Sequence, residues 1–336
     1  MEEVVTRDKL DRPLRDLRIS VTDRCNFRCR YCMPRERFGE DHTFLPKRAL
    51  LTFEEIEKFV SACIPIGLRK VRITGGEPLL RPNLHELVRM LSATGVEVAL
   101  TTNASLLARH AGSLSESGLD RVTVSLDALD PTTHSRMADC SVHVDDVLGG
   151  IQSALDHNLG PVKVNCVVQR GVNESEVSGL VRHFRGTGVT VRFIEYMDVG
   201  RTNGWIPSQV VESSELLDEL RGEFDLVPVE PQSPSDVATR WAHSDGSGEI
   251  GFISSVSEPF CGDCVRARLS ADGHLFTCLF ASGGHDLRAI IHGDSGIQEI
   301  TDAVSAVWSR RTDRYSEIRS TETSSLPRIE MSYIGG

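Results

Sequence analysis

No stretch of this chain approaches the roughly 18–20 apolar residues of a membrane span, so no transmembrane helix is expected. The first ten residues are too charged for a secretory h-region. A basic excess is missing as well. Against 37 Lys and Arg stand 48 Asp and Glu, a net charge of −11, where a nucleic-acid surface would show a strongly basic field. The expectations are a cytoplasmic protein with neither a membrane nor a nucleic acid as partner. Small anions stay open, because a pocket needs only a few well-placed cations.

What is present describes an ordinary globular chain, 40% hydrophobic and 25% charged. Its 336 residues suffice for one large α/β domain and an appendage. Nine cysteines include two tight groups of three, which fit metal ligation in a reducing compartment better than a disulfide framework. The solitary Cys63, Cys140 and Cys166 are expected as buried small apolar residues.

Cys25, Cys29 and Cys32 form a C-x₃-C-x₂-C run with no fourth Cys or His nearby. A structural zinc wants four protein ligands and would have to borrow a distant one. A thioredoxin-like pair would leave Cys25 unexplained. A 4Fe–4S cubane held by three thiolates keeps one iron free for another ligand.

Through residue 195, strand and helix patterns alternate. Strands are predicted at 17–22, 70–74, 96–101, 121–126, 162–168 and 189–195, and helices at 53–66, 83–93, 106–117, 145–158 and 174–185. Thr52 and Glu55 make a capping box for the first helix. Repeated βα units imply parallel strands with right-handed crossovers. Six of them give an incomplete (β/α)₆ TIM-type barrel whose site lies at the C-terminal strand ends. A doubly wound open sheet is the alternative. Arg18, Arg72, Lys163 and Asn165 each fall on one face of their strand, opposite apolar neighbours. Strands covered on both faces should be apolar throughout, so this alternation predicts a polar lumen.

The period is lost from Tyr196 to about Gly248, and 228–236 reads as a surface loop. Three segments result: 1–196, the partial barrel; 197–248, a connector; and 249–336, a C-terminal extension. In the last, a strand is predicted at 249–256, a hairpin at 266–270 and 274–278, and a helix at 301–311. Cys261, Cys264 and Cys278 form C-x₂-C-x₁₃-C, again short of a fourth thiolate. Zinc and a second open-iron cluster both fit. Arg266 and Arg268, two apart on one strand face, suit bidentate capture of phosphate or carboxylate.

Together the motifs resemble the GTP 3′,8-cyclase family, radical S-adenosylmethionine (SAM) enzymes that open molybdenum-cofactor biosynthesis. The likeness runs through Leu17-Arg-Ile-Ser-Val-Thr-Asp-Arg-Cys25, the Cys25/Cys29/Tyr31/Cys32 loop and Val71-Arg-Ile-Thr-Gly-Gly-Glu-Pro-Leu-Leu-Arg81. It continues in Thr101-Thr-Asn103, Val124-Ser-Leu-Asp127, Lys163-Val-Asn165 and Arg192-Phe-Ile-Glu-Tyr-Met197. It ends with Phe260-Cys-Gly-Asp-Cys-Val-Arg-Ala-Arg268, Cys278-Leu-Phe280 and Ser332-Tyr-Ile-Gly-Gly336. Ala104 departs from the family's usual Thr-Thr-Asn-Gly.

The resemblance implies a SAM-binding 4Fe–4S cluster on Cys25, Cys29 and Cys32, with SAM contacts at Tyr31, Gly76, Ser125 and Met197. It implies a second, substrate-binding 4Fe–4S cluster on Cys261, Cys264 and Cys278. Arg18, Arg72, Thr101, Lys163, Arg266, Ala267 and Arg268 match positions that bind GTP, with Lys70, Asn165 and Arg192 as weaker additions. Gly335 and Gly336 read either as a frayed terminus or as a slim tail entering the active site. The implied partners are a flavodoxin- or ferredoxin-type electron donor and the cyclic pyranopterin monophosphate synthase that receives the product, for a monomer or homodimer. The rivals are another two-cluster radical SAM enzyme, such as one modifying a peptide, and a metal-stabilised binding module.

Overall fold

The computed structural model describes residues 5–231, 233, 235–319 and 328–335. Six strands, Asp16–Ser20 (β1), Lys70–Thr74 (β2), Glu97–Thr102 (β3), Arg121–Ser125 (β4), Lys163–Val168 (β5) and Thr190–Glu195 (β6), lie side by side and parallel. Leu226–Val229 (β7) and Thr239–His243 (β8) pair antiparallel, and β8 pairs antiparallel with Glu249–Ile253 (β9), which runs parallel to β6. At the other edge Arg266–Leu269 (β10) is parallel to β1, followed by the antiparallel His274–Phe276 (β11) and His285–Asp286 (β12). The six-strand core thus extends to eight parallel strands in one continuous sheet, because the C-terminal segment adds one strand at each side of it.

Helices cover the outer face. Phe53–Cys63 (α1) turns Ile56, Phe59, Val60 and Cys63 inward, the 3–4 spacing of an amphipathic helix. The expected capping box is present: Thr52 Oγ1 accepts from Glu55 N at 3.2 Å, and Thr52 N donates to Glu55 at 2.7 Å. Leu84–Ala93 (α2), Leu107–Glu116 (α3), Pro131–Ala138 (α4), Val144–Asp156 (α5) and Val177–Phe184 (α6) follow in turn. These pack on Leu17, Ile19, Val71, Ile73, Val164 and Cys166 of the strands, all buried in a single core. The opposite residues of β5 alternate with them, Lys163, Asn165 and Val167 being only half-buried, so the predicted polar lumen is present.

Several expectations need correction. The predicted first strand stops two residues early, at Ser20, where the chain leaves the sheet. Helix α4 was not anticipated; Asp130 caps it by accepting from Thr133 N at 2.8 Å, with Pro131 in its first turn. The supposedly aperiodic 196–248 holds the helix Ser213–Arg221 (α7) and the β7/β8 hairpin, and the loop expected at 228–236 begins inside β7. Past a short helix, Arg288–His292 (α8), comes the predicted C-terminal helix, Ile297–Trp308 (α9), which starts four residues early and buries Ile300, Val304 and Trp308. Met331–Ile334 (α10) is the last helix, one residue before the end of the described chain. Cys63 and Cys166 are fully buried, as expected, whereas Cys140 is half-buried at the edge of the core. Among the described residues no helix is long and apolar enough to cross a membrane.

Candidate functional site

The first cysteine trio sits in the loop after β1, docked on the loop after β2. Gly76 N donates to Thr22 O and Glu77 N to Arg24 O, both at 2.8 Å. A side chain at Gly76 would place Cβ 2.3 Å from Arg24 O, so only glycine permits this approach. A tight turn brings Cys32 N to 3.0 Å and Met33 N to 2.8 Å from Cys29 O, while Arg28 Nη1 donates to Cys25 O at 2.7 Å. Burial, with neighbouring acidic groups, pushes the Cys25 thiol up to about 12 and those of Cys29 and Cys32 up strongly as well. Three thiolates gathered in one loop are stable only against compensating positive charge, which metal ligation supplies.

Two buried carboxylates organise the floor beneath. Glu77 accepts from Leu79 N at 2.9 Å, Thr102 Oγ1 at 2.8 Å and Asn103 N at 2.7 Å, although burial lifts its carboxyl to about 7. Asp127 accepts from Tyr31 Oη and Val167 N, both at 2.8 Å, and burial lifts it to about 6. The Tyr31 hydroxyl is thus committed to Asp127, leaving its ring and main chain for any ligand.

The second trio flanks β10 and β11. Arg311 Nη1 donates to Cys264 O at 2.7 Å, and Arg12 Nη1 to Cys261 O at 2.6 Å. Against the upward push of burial, Arg266 and Arg311 pull the Cys264 thiol down to about 6. Among the described residues no three His, Cys, Asp or Glu side chains have the spacing of a single metal ion. Thiolates on one tetrahedral zinc would stand about 3.8 Å apart, from a Zn–S distance of about 2.3 Å. A cubane takes each thiolate on a different iron, so a trio that does not close on one metal ion still matches its donor set.

Both trios line one cavity of about 870 Å³. Between them the strand faces present Arg18, Arg72, Lys163, Arg192, Arg266 and Arg268. β1, β2 and β10 are in register there, with Arg18 facing Arg72 on one side and Arg268 on the other. Burial first, then Arg268, Arg266 and Arg72, holds Arg18 well below the usual guanidinium range, and its buried Nε has no protein partner. Burial, followed by Arg72, brings Arg192 down to about 9; burial, followed by Arg266, brings Arg268 down to about 10. This charge imbalance is costly unless a polyanion enters.

Thr101 accepts from Arg72 Nη1 at 3.2 Å and Asn165 from Arg192 Nε at 2.9 Å, so both orient cations at the wall. Lys70 is ion-paired at 2.8 Å with Glu97, whose carboxylate it shares with Arg121 at 2.8 Å. Ser125 and Met197 line the cavity with Tyr31 and Gly76. Ala267, between two cavity arginines, turns its methyl into the apolar core, so its side chain cannot meet a ligand and any contact runs through its main chain. Gly335 is buried at φ +77°, where its carbonyl accepts from Arg268; a Cβ would stand 2.1 Å from Thr74 Oγ1. Gly336 lies outside the described residues.

Sequence reasoning passed over Asp127, Asn103, Arg311, Arg12 and Asp198. Asp127 and Asn103 stood inside recognisable motifs and carried a signal; Arg12 offered only its four-residue spacing from Asp8, and Arg311 and Asp198 offered none, because their main partners are distant in the chain. Asp198 accepts from Tyr315 Oη at 2.6 Å and Arg319 Nε at 3.0 Å and pairs with Arg328 at 2.9 Å, tying the last segments to the loop after β6.

A partial barrel with a three-cysteine loop after its first strand defines a radical SAM enzyme, and the Radical SAM superfamily model matches residues 19–184. The adjoining residues 189–317 match Molybdenum Cofactor Synthesis C. The chain belongs to the GTP 3′,8-cyclase family. It is 50% identical to the GTP 3′,8-cyclase of Acidothermus cellulolyticus, covering 98% of this chain and 99% of that one. With the Staphylococcus epidermidis enzyme of that name it shares 45% identity over 100% of both chains. Streptococcus suis SuiB bound to S-adenosylmethionine shares the fold, with a TM-score of 0.63 at 14% identity over 94% of this chain and 73% of that one. SuiB has also been solved bound to its precursor peptide SuiA, but the likeness is one of fold and says nothing of substrate here.

Proposed function

We propose that this chain is a radical SAM lyase converting GTP to (8S)-3′,8-cyclo-7,8-dihydroguanosine 5′-triphosphate, the first step of molybdenum-cofactor biosynthesis. The observation that carries the reading is a single cavity with a cysteine trio at either end and five arginines and a lysine between. A triphosphate brings about four negative charges, and burying them demands compensation of that order. Arg18, Arg72, Lys163, Arg192, Arg266 and Arg268 supply it, with Thr101 and Asn165 holding two of them in place.

Cys25, Cys29 and Cys32 would hold the first 4Fe–4S cluster, and Tyr31, Gly76, Ser125 and Met197 surround the space beside it for SAM. Cys261, Cys264 and Cys278 would hold a second, which would leave one iron open to the substrate. The first cluster with SAM supplies a 5′-deoxyadenosyl radical when bound. The protein's own part is to fix C3′ of the ribose toward that end of the cavity, to hold C8 of guanine within reach, and to exclude water. Gly335 sits against Thr74 and Arg268, two residues of the cavity wall. A flavodoxin- or ferredoxin-type donor, a cytoplasmic setting and delivery to cyclic pyranopterin monophosphate synthase complete the proposal.

Anaerobic incubation with SAM, a reductant and GTP should consume GTP and yield the cyclised nucleotide; formation of 5′-deoxyadenosine alone would remove the substrate assignment. Arg266→Ala should lower GTP turnover at least about tenfold, the scale of one lost charged hydrogen bond. Its SAM cleavage without GTP should change far less.

A further inference from the structure

Arg311, just past α9, is buried, and its Nη1 and Nε are engaged. Nη1 donates to Cys264 O at 2.7 Å and lies 3.2 Å from Asp8 Oδ2, while Nε lies 3.3 Å from Asp313. The Trp308 ring covers the guanidinium at 4.5 Å. Arg12 treats the other cysteine of the pair in the same way. Its Nη1 donates to Cys261 O at 2.6 Å and Asp313 O at 2.9 Å, and its Nε to Asp8 Oδ2 at 2.7 Å. Trp308 Nε1 in turn donates to Arg12 O at 2.9 Å.

A single buried carboxylate, Asp8, therefore aims two guanidinium groups at the two carbonyls of one C-x₂-C. The three side chains come from opposite ends of the chain, and no element of regular structure requires them to meet. Ion groups this deeply buried are expensive to assemble. Arg311 lines the cavity as Arg266 does, but its Nη1 and Nε are committed to the cysteine loop and its acidic partners.

We propose that Arg311 and Arg12, steered by Asp8, are positioning residues for the second cysteine trio, setting how firmly it holds its cluster and at what reduction potential. The proposal rests on the two-cluster reading above. Hydrogen bonding and charge around cluster ligands set reduction potential, and groups that orient ligands set metal retention.

The test uses the full chain, purified without oxygen. Arg311→Met keeps bulk but removes the charge and the donors. Redox titration followed by electron paramagnetic resonance should show its second centre shifted to more negative potential, with the first centre unmoved. A second centre at the wild-type potential overturns the proposal, as does an equal shift in both centres. Arg311→Lys keeps the charge without the fork, and covers the case in which Arg311→Met does not fold. Its second centre should lose iron to a chelator about tenfold faster or more, the usual scale for such groups; release at the wild-type rate overturns the proposal. A wild-type chain carrying only about four irons would instead remove the two-cluster reading itself, and is distinguished by that count.

Discussion

Lys163 sits among other cations, and burial together with Arg192, Arg121, Lys70 and Arg72 lowers its ammonium to about 8. In the nucleotide-free protein the neutral form therefore predominates only above about pH 8, and between this value and the ordinary one near 10.4 the unfolded chain binds more protons. Stability contributed by this group rises with pH across that window. A bound triphosphate reverses the preference and draws the proton back. GTP binding above about pH 8 should take up a proton and weaken by up to tenfold per pH unit from this group alone. Calorimetry in two buffers of different ionisation heat reads the uptake directly. Lys163→Arg should bind GTP with the inflection abolished; an unchanged inflection would show that another group titrates there. Ala104 belongs to the same scale. The position departs from the family's glycine, and its φ of +60° gives the physical reason glycine is usual: the left-handed region is strained for a side chain.

The elements were legible where a local signal was strong. The capping box at Thr52 and Glu55 marked the start of α1 before any contact was known, and Thr52→Ala should cost about 1 kcal/mol, read as a lowered midpoint of unfolding. Full SAM cleavage should survive in that variant, since α1 lies on the outer face. Helix α4 was missed although Asp130-Pro131 is a helix-start signal, because its eight residues are too few to show a period. The β7/β8 hairpin was missed because β8 is at most half-buried except at His243, so no apolar alternation exposes it. The alternation in β5 was read correctly, since half of its residues face a polar cavity.

For the molecule as a whole, the two ends of the cavity come from separate parts of the chain, and their metal contents should be separable. The anaerobic wild-type chain should carry about eight irons, and Cys29→Ser and Cys264→Ser about four each. Cys29→Ser should abolish SAM cleavage; Cys264→Ser should retain it without cyclising GTP. Iron analysis beside product analysis checks both, and zinc in place of iron would sink the assignment. The Asp198 contacts with Tyr315, Arg319 and Arg328 belong to this scale too, since they join the last described segments to the loop after β6.

Spacing along the chain determined the two thiolate trios, the βα alternation and the one-sided polarity of Arg18, Arg72, Lys163 and Asn165, because each is a pattern within a few residues or a single strand. Tertiary structure alone decided that β10 lies beside β1 and β9 beside β6, which brings both trios to one cavity and sets Arg268 beside Arg18. It alone paired Lys70 with Glu97 and brought Arg311 to the Asp8–Arg12 pair. Those outcomes depend on partners up to 303 residues apart, and no local pattern encodes a contact between charges so distant in the chain.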